Sequence, residues 1–183
     1  KAFSLDEIDS ESKSELLLIK AEIFKNEENI EEAMNSYELA YNETSSIAAI
    51  LSIQELNLVS ENYLKAIEWG ERAIKNRTQI DRVYFSHLLY NVGLSYRGAG
   101  SVYYDRAMDV ITKINNGEDV LFSLKKETIN NLKIAKDYFY EGRLYFLDAT
   151  VEGMDDAQER ANQMKDIMEQ IDEIYIPFLE NYQ

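Results

Sequence analysis

The stretch that decides the fold is residues 90–107, which read YNVGLSYRGAGSVYYDRA. A large residue is followed by the small Gly93 and the aromatic Tyr96, then by the break Gly98–Gly100 and a second small residue, Ala107. Two antiparallel helices approach closely where one presents Gly or Ala and the other fills the notch with a larger side chain. The stretch therefore predicts a helical hairpin that turns at Gly98–Gly100, with Gly93 and Ala107 as packing residues.

The same arrangement of small residues occurs earlier in the chain, at a fixed interval. Positions 33 residues apart match in two consecutive segments, with Ala33, Tyr37 and Ala40 followed by Ala66, Gly70 and Ala73. The step from Ala66 to Ala107 is longer, at 41 residues. A period of about 20 to 50 residues is typical of proteins built from stacked repeats.

The composition favours helices and makes nucleic acid an improbable partner. The chain has 183 residues, one proline and seven glycines, so strands would have few turns on which to fold back. Its 34 acidic and 19 basic side chains give a formal net charge of −15, which repels phosphate backbones and anionic membrane surfaces. We therefore predict an all-α protein that does not bind nucleic acid.

Few residues are available for chemistry. The chain has no cysteine and a single histidine, His87, so thiolate metal sites, histidine-pair metal sites and the usual catalytic triads have no support, and no cofactor is predicted. The G-x-G at Gly98–Gly100 follows a helical segment and lacks the Lys-Ser/Thr of a phosphate loop. The sequence thus predicts a protein that is not an enzyme.

The longest apolar runs are far shorter than the roughly 20 residues that a membrane helix needs. We expect a soluble protein with no membrane insertion, and a cytoplasmic location is slightly favoured over a periplasmic one. The chain opens at Lys1 without Met. This start predicts that a signal peptide, a preceding domain or other residues have been removed.

The stretch at 90–107 and the 33-residue spacing together resemble the tetratricopeptide repeat (TPR) family, with longer repeats of the bacterial type. The resemblance implies a right-handed α-solenoid of antiparallel helix pairs with a C-terminal capping helix. It also implies a single domain, 13–183, after an acidic lead-in, 1–12. Within the domain we expect repeats at 14–45, 46–77 and 78–115, a degenerate one at 121–153 and the capping helix at 155–176. The turn of the first repeat is predicted at Asn26–Asn29. Whether the degenerate repeat breaks at Gly142 or continues through it stays open.

The last helix carries a regular apolar seam. Its positions step by four and three alternately, through Ala157, Ala161, Met164, Met168, Ile171, Tyr175 and Phe178, and Pro177 is expected to end or kink the helix. Such a seam fits a cap over the last repeat, and it also fits a homodimer formed through this helix.

The first helices of such repeats line a concave face, and the resemblance places twelve residues in that groove. They are Leu18, Glu22, Leu51, Glu55, Leu58, Tyr90, Leu94, Arg97, Leu132, Lys136, Phe139 and Tyr140. An apolar face with acidic spots suits an amphipathic or partly basic peptide or protein segment. The alternative is that the C-terminal helix or the lead-in fills the same face.

These features predict a non-catalytic scaffold for protein–protein interaction. One alternative is the peptide-sensing part of a bacterial transcriptional regulator whose DNA-binding part precedes Lys1. Another is a periplasmic or envelope accessory protein. The identity of the partner is not encoded in the repeat pattern, because function resides in a site and not in a fold.

Overall fold

A computed structural model describes residues 9–182 of the chain. Over this range the structure is helical and contains no strand, which confirms the all-α prediction. The helices are α1 (Ser10–Asn26), α2 (Ile30–Thr44), α3 (Ile47–Val59), α4 (Tyr63–Ile74), α5 (Arg82–Asn115), α6 (Phe122–Val151), α7 (Ala157–Gln170) and α8 (Ile176–Asn181). A 3-10 turn, Arg77–Gln79, precedes α5, and a π-helical turn, Ile171–Tyr175, joins α7 to α8.

The chain divides into two units, Lys1–Leu88 and Leu89–Gln183, and the division falls inside the segment 78–115 predicted as the third repeat. Most of the predicted lead-in, residues 1–8, lies outside the described residues. Its last residues belong to α1, which begins at Ser10 because the Asp9 side chain accepts hydrogen bonds from the backbone N–H groups of Glu11 and Ser12.

In the first unit each helix packs against the next, α1 on α2, α2 on α3 and α3 on α4. Small residues lie at the contacts and are completely buried: Ala21 in α1, Ala33 and Ala40 in α2, and Ala49 in α3. The Tyr37 ring fills the space between them and is almost fully buried as well. The predicted notch packing therefore forms the core of this unit.

The 33-residue interval is reproduced in the backbone. The turn after α1 places Glu28 at φ 59° and the turn after α3 places Glu61 at φ 59°. In each turn the next N–H donates to the carbonyl five residues earlier, Asn29 to Phe24 at 2.9 Å and Asn62 to Asn57 at 2.8 Å. These bonds satisfy carbonyls left open at the helix end. The two hairpins of the first unit are thus repeats in structure as well as in sequence.

The predicted turn at Gly98–Gly100 is wrong, because α5 is one helix of 34 residues that runs through it. Gly100 serves a close approach of two helices instead of a turn. A Cβ atom on Gly100 would lie 2.7 Å from Cε1 of Phe139 and 3.1 Å from the carbonyl oxygen of Ala135, both in α6. The segment 78–115 is therefore not a helical hairpin.

In the second unit α5 and α6 are antiparallel, since Gly93 lies against Phe146 while Gly100 lies against Phe139. Helix α6 continues through Gly142, whose missing Cβ admits the backbone oxygen of Gly93. Tertiary packing here outweighs the cost of about 1 kcal/mol for glycine in a helix interior. The segment 121–153 accordingly holds one helix.

The C-terminal helix packs on α6, and its predicted seam faces inward. Ala157, Ala161, Met164 and Ile171 are buried, so these residues form intramolecular contacts and do not offer a free surface to a second copy. Pro177 does not end the helical run, since Tyr175 and Ile176 keep right-handed helical angles and α8 continues to Asn181; the π-helical turn Ile171–Tyr175 lies directly before it. The other three seam residues, Met168, Tyr175 and Phe178, are only partly buried, and the capping role stays a prediction.

Candidate partner-binding surface

The twelve residues predicted to line a groove fall in both units. Five belong to the first unit and lie on α1 and α3: Leu18, Glu22, Leu51, Glu55 and Leu58. The other seven belong to the second unit and lie on α5 and α6. The two groups are therefore separate candidate surfaces.

The five residues on α1 and α3 combine apolar and acidic surface, and we call them the α1/α3 surface. Leu18, Leu51 and Leu58 are partly buried, and Leu18 packs against the core of the unit. Glu22 and Glu55 are exposed. The leucines thus remain in reach of a partner while the two carboxylates face water.

The two carboxylates lie around one buried tyrosine. The Tyr37 hydroxyl donates a hydrogen bond to Glu22, and the Ser52 side chain hydrogen-bonds to the same hydroxyl. Burial raises the pKa of Tyr37 above its ordinary value, and the bond to Glu22 and the charges of Glu22 and Glu55 raise it further. Glu22 from α1 thus bonds the Tyr37 hydroxyl directly, while Glu55 from α3 acts on it through its charge alone.

One cation of the chain itself is close to this pair. The Lys25 ammonium lies 3.7 Å from a carboxylate oxygen of Glu55, and both side chains are substantially exposed. An exposed ion pair at this distance contributes little, in the range of about 0–1 kcal/mol. The ion pair therefore holds Lys25 only weakly beside Glu55.

In the second unit the structure removes two residues from the predicted surface. Leu132 and Phe139 are fully buried, and Phe139 contacts the backbone notch at Gly100. They belong to the core between α5 and α6 and cannot line a groove. Their positions were misassigned because α6 has apolar residues around most of its circumference, so its spacing alone does not show which face is inside.

Two further predicted positions, Tyr90 and Lys136, are contacted by the C-terminal part of the chain, through α7 and the π-helical turn. The Arg160 Nε donates to the Tyr90 hydroxyl at 3.4 Å, and the Lys136 ammonium bonds Asp172 at 2.6 and 2.8 Å. The hydrogen bond with Tyr90 raises the pKa of Arg160. Tyr90 and Lys136 therefore bind the chain's own helix, which is the alternative occupant expected from the sequence.

The remaining predicted residues of the second unit do not combine apolar and acidic side chains as the α1/α3 surface does. Leu94 and Arg97 are partly buried on α5, and Tyr140 is exposed on α6. The second unit thus offers no counterpart to the carboxylate pair of the α1/α3 surface at the predicted positions.

Sequence reasoning missed the polar part of the α1/α3 surface. Tyr37 was assigned to packing alone, although its hydroxyl joins Glu22 and Ser52. A signal was present, since a buried tyrosine hydroxyl requires a polar partner. Gln54 and Asn57 are also buried in α3, and the Asn57 side chain donates to the Ile53 carbonyl at 2.8 Å.

Metal-binding clusters and membrane spans are absent from the part of the chain that the structure describes. Residues 9–182 contain no cluster of three or more His, Asp or Glu side chains arranged to hold a metal ion. None of the helices in the same range has the length and apolar character required to cross a bilayer.

Comparison with known proteins does not assign the chain to a family. No protein-family model, no curated protein and no solved structure matches the chain. Function is therefore inferred from the residues and contacts described above.

Proposed function

We propose that the chain is a non-catalytic module that binds a segment of another protein through the α1/α3 surface. The observation that carries the proposal is that two exposed carboxylates, Glu22 and Glu55, both act on the Tyr37 hydroxyl and share α1 and α3 with partly buried leucines. An amphipathic or partly basic segment complements it, with its apolar side chains on Leu18 and Leu51 and a Lys or Arg between the carboxylates.

The TPR-like assignment belongs to the same proposal. It is supported in the first unit by two hairpins whose small residues and turn geometry recur after 33 residues. Hairpins that stack in this way present their first helices to a ligand. The assignment is limited to residues 14–45 and 46–77, because α5 and α6 are long single helices.

Selection of peptides tests this function although the partner is unidentified. A displayed library of random peptides is selected against the full chain, and we expect the enriched sequences to combine Lys or Arg with Leu, Ile or Phe. The affinity of an enriched peptide is then measured for E22Q/E55Q. We expect a loss of about tenfold or more, which corresponds to about 1.4 kcal/mol.

The control has the same change of charge at a different place. E31Q/E38Q removes two exposed carboxylates from α2 and should leave the affinity unchanged. Equal losses in both variants would indicate attraction to the net charge of −15 rather than a site, and would contradict the proposal.

A further inference from the structure

Helix α1 is apolar on two opposite faces. Its inner face packs Ala21, Leu17 and Phe24 into the core of the first unit. On the other side Leu16, Ile19 and Ile23 are spaced by three and four residues, which places them in one row. Their exposed fractions are 48%, 58% and 51%. We call these three residues the outer stripe.

A row of this kind differs from ordinary surface apolar residues. Single exposed apolar side chains are common in proteins and require no explanation. The neighbouring helix α2 shows the usual pattern, since its exposed positions are mostly polar and include Glu31, Glu38 and Glu32. A helix with an apolar row on each side is typical of one that packs on both sides.

Charged residues beside the stripe indicate the sign of the charge that its partner carries. Helical spacing places Glu15 and Glu22 along one edge of the stripe and Glu27 with Lys13 and Lys20 along the other. Lys13 is paired with Glu43 of α2, and the Lys20 ammonium lies 5.4 Å from the centre of the Phe24 ring, which draws it toward the helix itself. Three carboxylates and these two engaged ammonium groups favour a basic partner.

A second copy of the chain does not complement this face. Each copy carries a net charge of −15, so two copies repel one another. A stable interface also buries about 800 Å² on each partner, which is more than three half-exposed side chains supply. The charges and the area therefore both point to a different chain.

We infer that the outer stripe binds an amphipathic helix of another protein, with apolar residues spaced by three and four and with Lys or Arg beside them. Helix-on-helix recognition through such rows is a recurring mode of peptide binding. The inference goes beyond the proposed function, because the stripe lies on the face of α1 that points away from its core contacts. None of its three residues belongs to the α1/α3 surface, and of the charges beside it only Glu22 does.

A pair of synthetic helices provides the probe. Both are about 20 residues long, so that they are helical enough to bind, and both carry Leu at the spacing of the stripe. One has Lys at the flanking positions and the other has Glu. We expect the lysine peptide to bind the full chain at about 0.15 M salt at least tenfold more tightly than the glutamate peptide, measured by fluorescence anisotropy.

Variants of the chain then locate the binding. L16Q/I19Q/I23Q should weaken binding of the lysine peptide by about tenfold or more. The matched control V59Q/L64Q replaces two exposed apolar side chains of α3 and α4 and should leave binding unchanged. E15Q/E27Q keeps the stripe intact and should weaken binding severalfold through charge alone. Circular dichroism checks that each variant keeps its helicity.

Several results would overturn the inference. They are equal binding of the two peptides, binding that survives L16Q/I19Q/I23Q, and binding that is lost only in E22Q/E55Q, which would assign the peptide to the α1/α3 surface. A dimer in sedimentation that L16Q/I19Q/I23Q dissociates would assign the stripe to a second copy. Peptide binding that requires deletion of residues 1–8 would assign it to that segment.

Discussion

The two units use different means to end and to pack their helices. In the first unit, four helices of 12 to 17 residues are joined by short turns, and Glu28 and Glu61 take the left-handed conformation there. In the second unit α6 has 30 residues, and the left-handed positions are the glycines Gly117 and Gly153. Both units bury alanine in their cores, and the second also has glycines at the close approach of α5 and α6.

The difference shows that glycine has two separate uses in one chain. At Gly117 and Gly153 the positive φ is the reason for the residue, since a Cβ there would meet no atom within 4 Å. At Gly93, Gly100 and Gly142 the helix continues, and the missing Cβ lets α5 and α6 approach. A glycine-rich segment in a sequence therefore predicts either a turn or a close contact.

Replacing Ala99 with proline is the strongest test of this comparison, because we expect it to cause the largest loss of stability. A turn would tolerate this substitution, but within α5 it removes a backbone hydrogen bond and clashes with the preceding helical turn. We expect A99P to lower the free energy of unfolding by about 3 kcal/mol or more, measured by urea denaturation.

The control is S10P, at the first residue of α1, where the preceding Asp9 is extended and proline is tolerated. We expect its stability to stay close to that of the parent chain. If A99P were as stable as S10P, the segment 98–100 would be a turn and the contrast between the units would disappear.

Replacing Gly100 with alanine tests the close approach of α5 and α6. We expect an intermediate loss of stability. Its Cβ would meet the fully buried Phe139 ring and the Ala135 carbonyl, so crowding should exceed the gain of about 1 kcal/mol in helix propensity. We expect G100A to destabilise the chain by about 1–2 kcal/mol in thermal or urea unfolding.

A double-mutant cycle checks the cause of that loss. F139L removes the ring that the new Cβ contacts, so G100A should cost less in the F139L background than in the parent chain. An unchanged cost would mean that Gly100 is required for a reason other than contact with Phe139.

Substitutions at the turn residues are expected to change stability least. They test how the helices of the two units end. E28G and E61G should each stabilise the chain, and G117A and G153A should each destabilise it, by about 1 kcal/mol or less in both directions. The sign follows because φ is positive at all four positions and only glycine takes it without strain. A common sign in urea unfolding for all four variants would contradict this account.

The sequence predicted the first unit better than the second. The alanines of α1 to α4 lie in the core, and the turn predicted at Asn26–Asn29 follows α1. Short helices joined by frequent polar turns leave their boundaries in the sequence. In the second unit the Gly98–Gly100 turn is absent, and Leu132 and Phe139 are in the core, because long helices with apolar residues on several faces do not reveal which face a neighbour covers.

The candidate site was predicted in part. Glu22 and Glu55 were identified as acidic positions, and in the structure both act on the Tyr37 hydroxyl, Glu22 by a hydrogen bond and Glu55 by its charge. Sequence spacing could not show this, since the two residues are 33 positions apart and the tyrosine comes from α2, which packs against both α1 and α3. The sequence also allowed the C-terminal helix to fill the predicted face, and the structure shows contacts of this kind at Tyr90 and Lys136, with Arg160 and Asp172.

The sequence alone determined the helical class, the 33-residue repetition of the first unit and the packing role of Gly93 and Ala107, because these depend on local spacing and residue size. Only the tertiary structure decided that α5 passes through Gly98–Gly100 and that the C-terminal seam faces α6. The physical reason is that a residue without a side chain fits both a left-handed turn and a helix contact, and an apolar row fits any partner. The helix that packs against them determines which is realised.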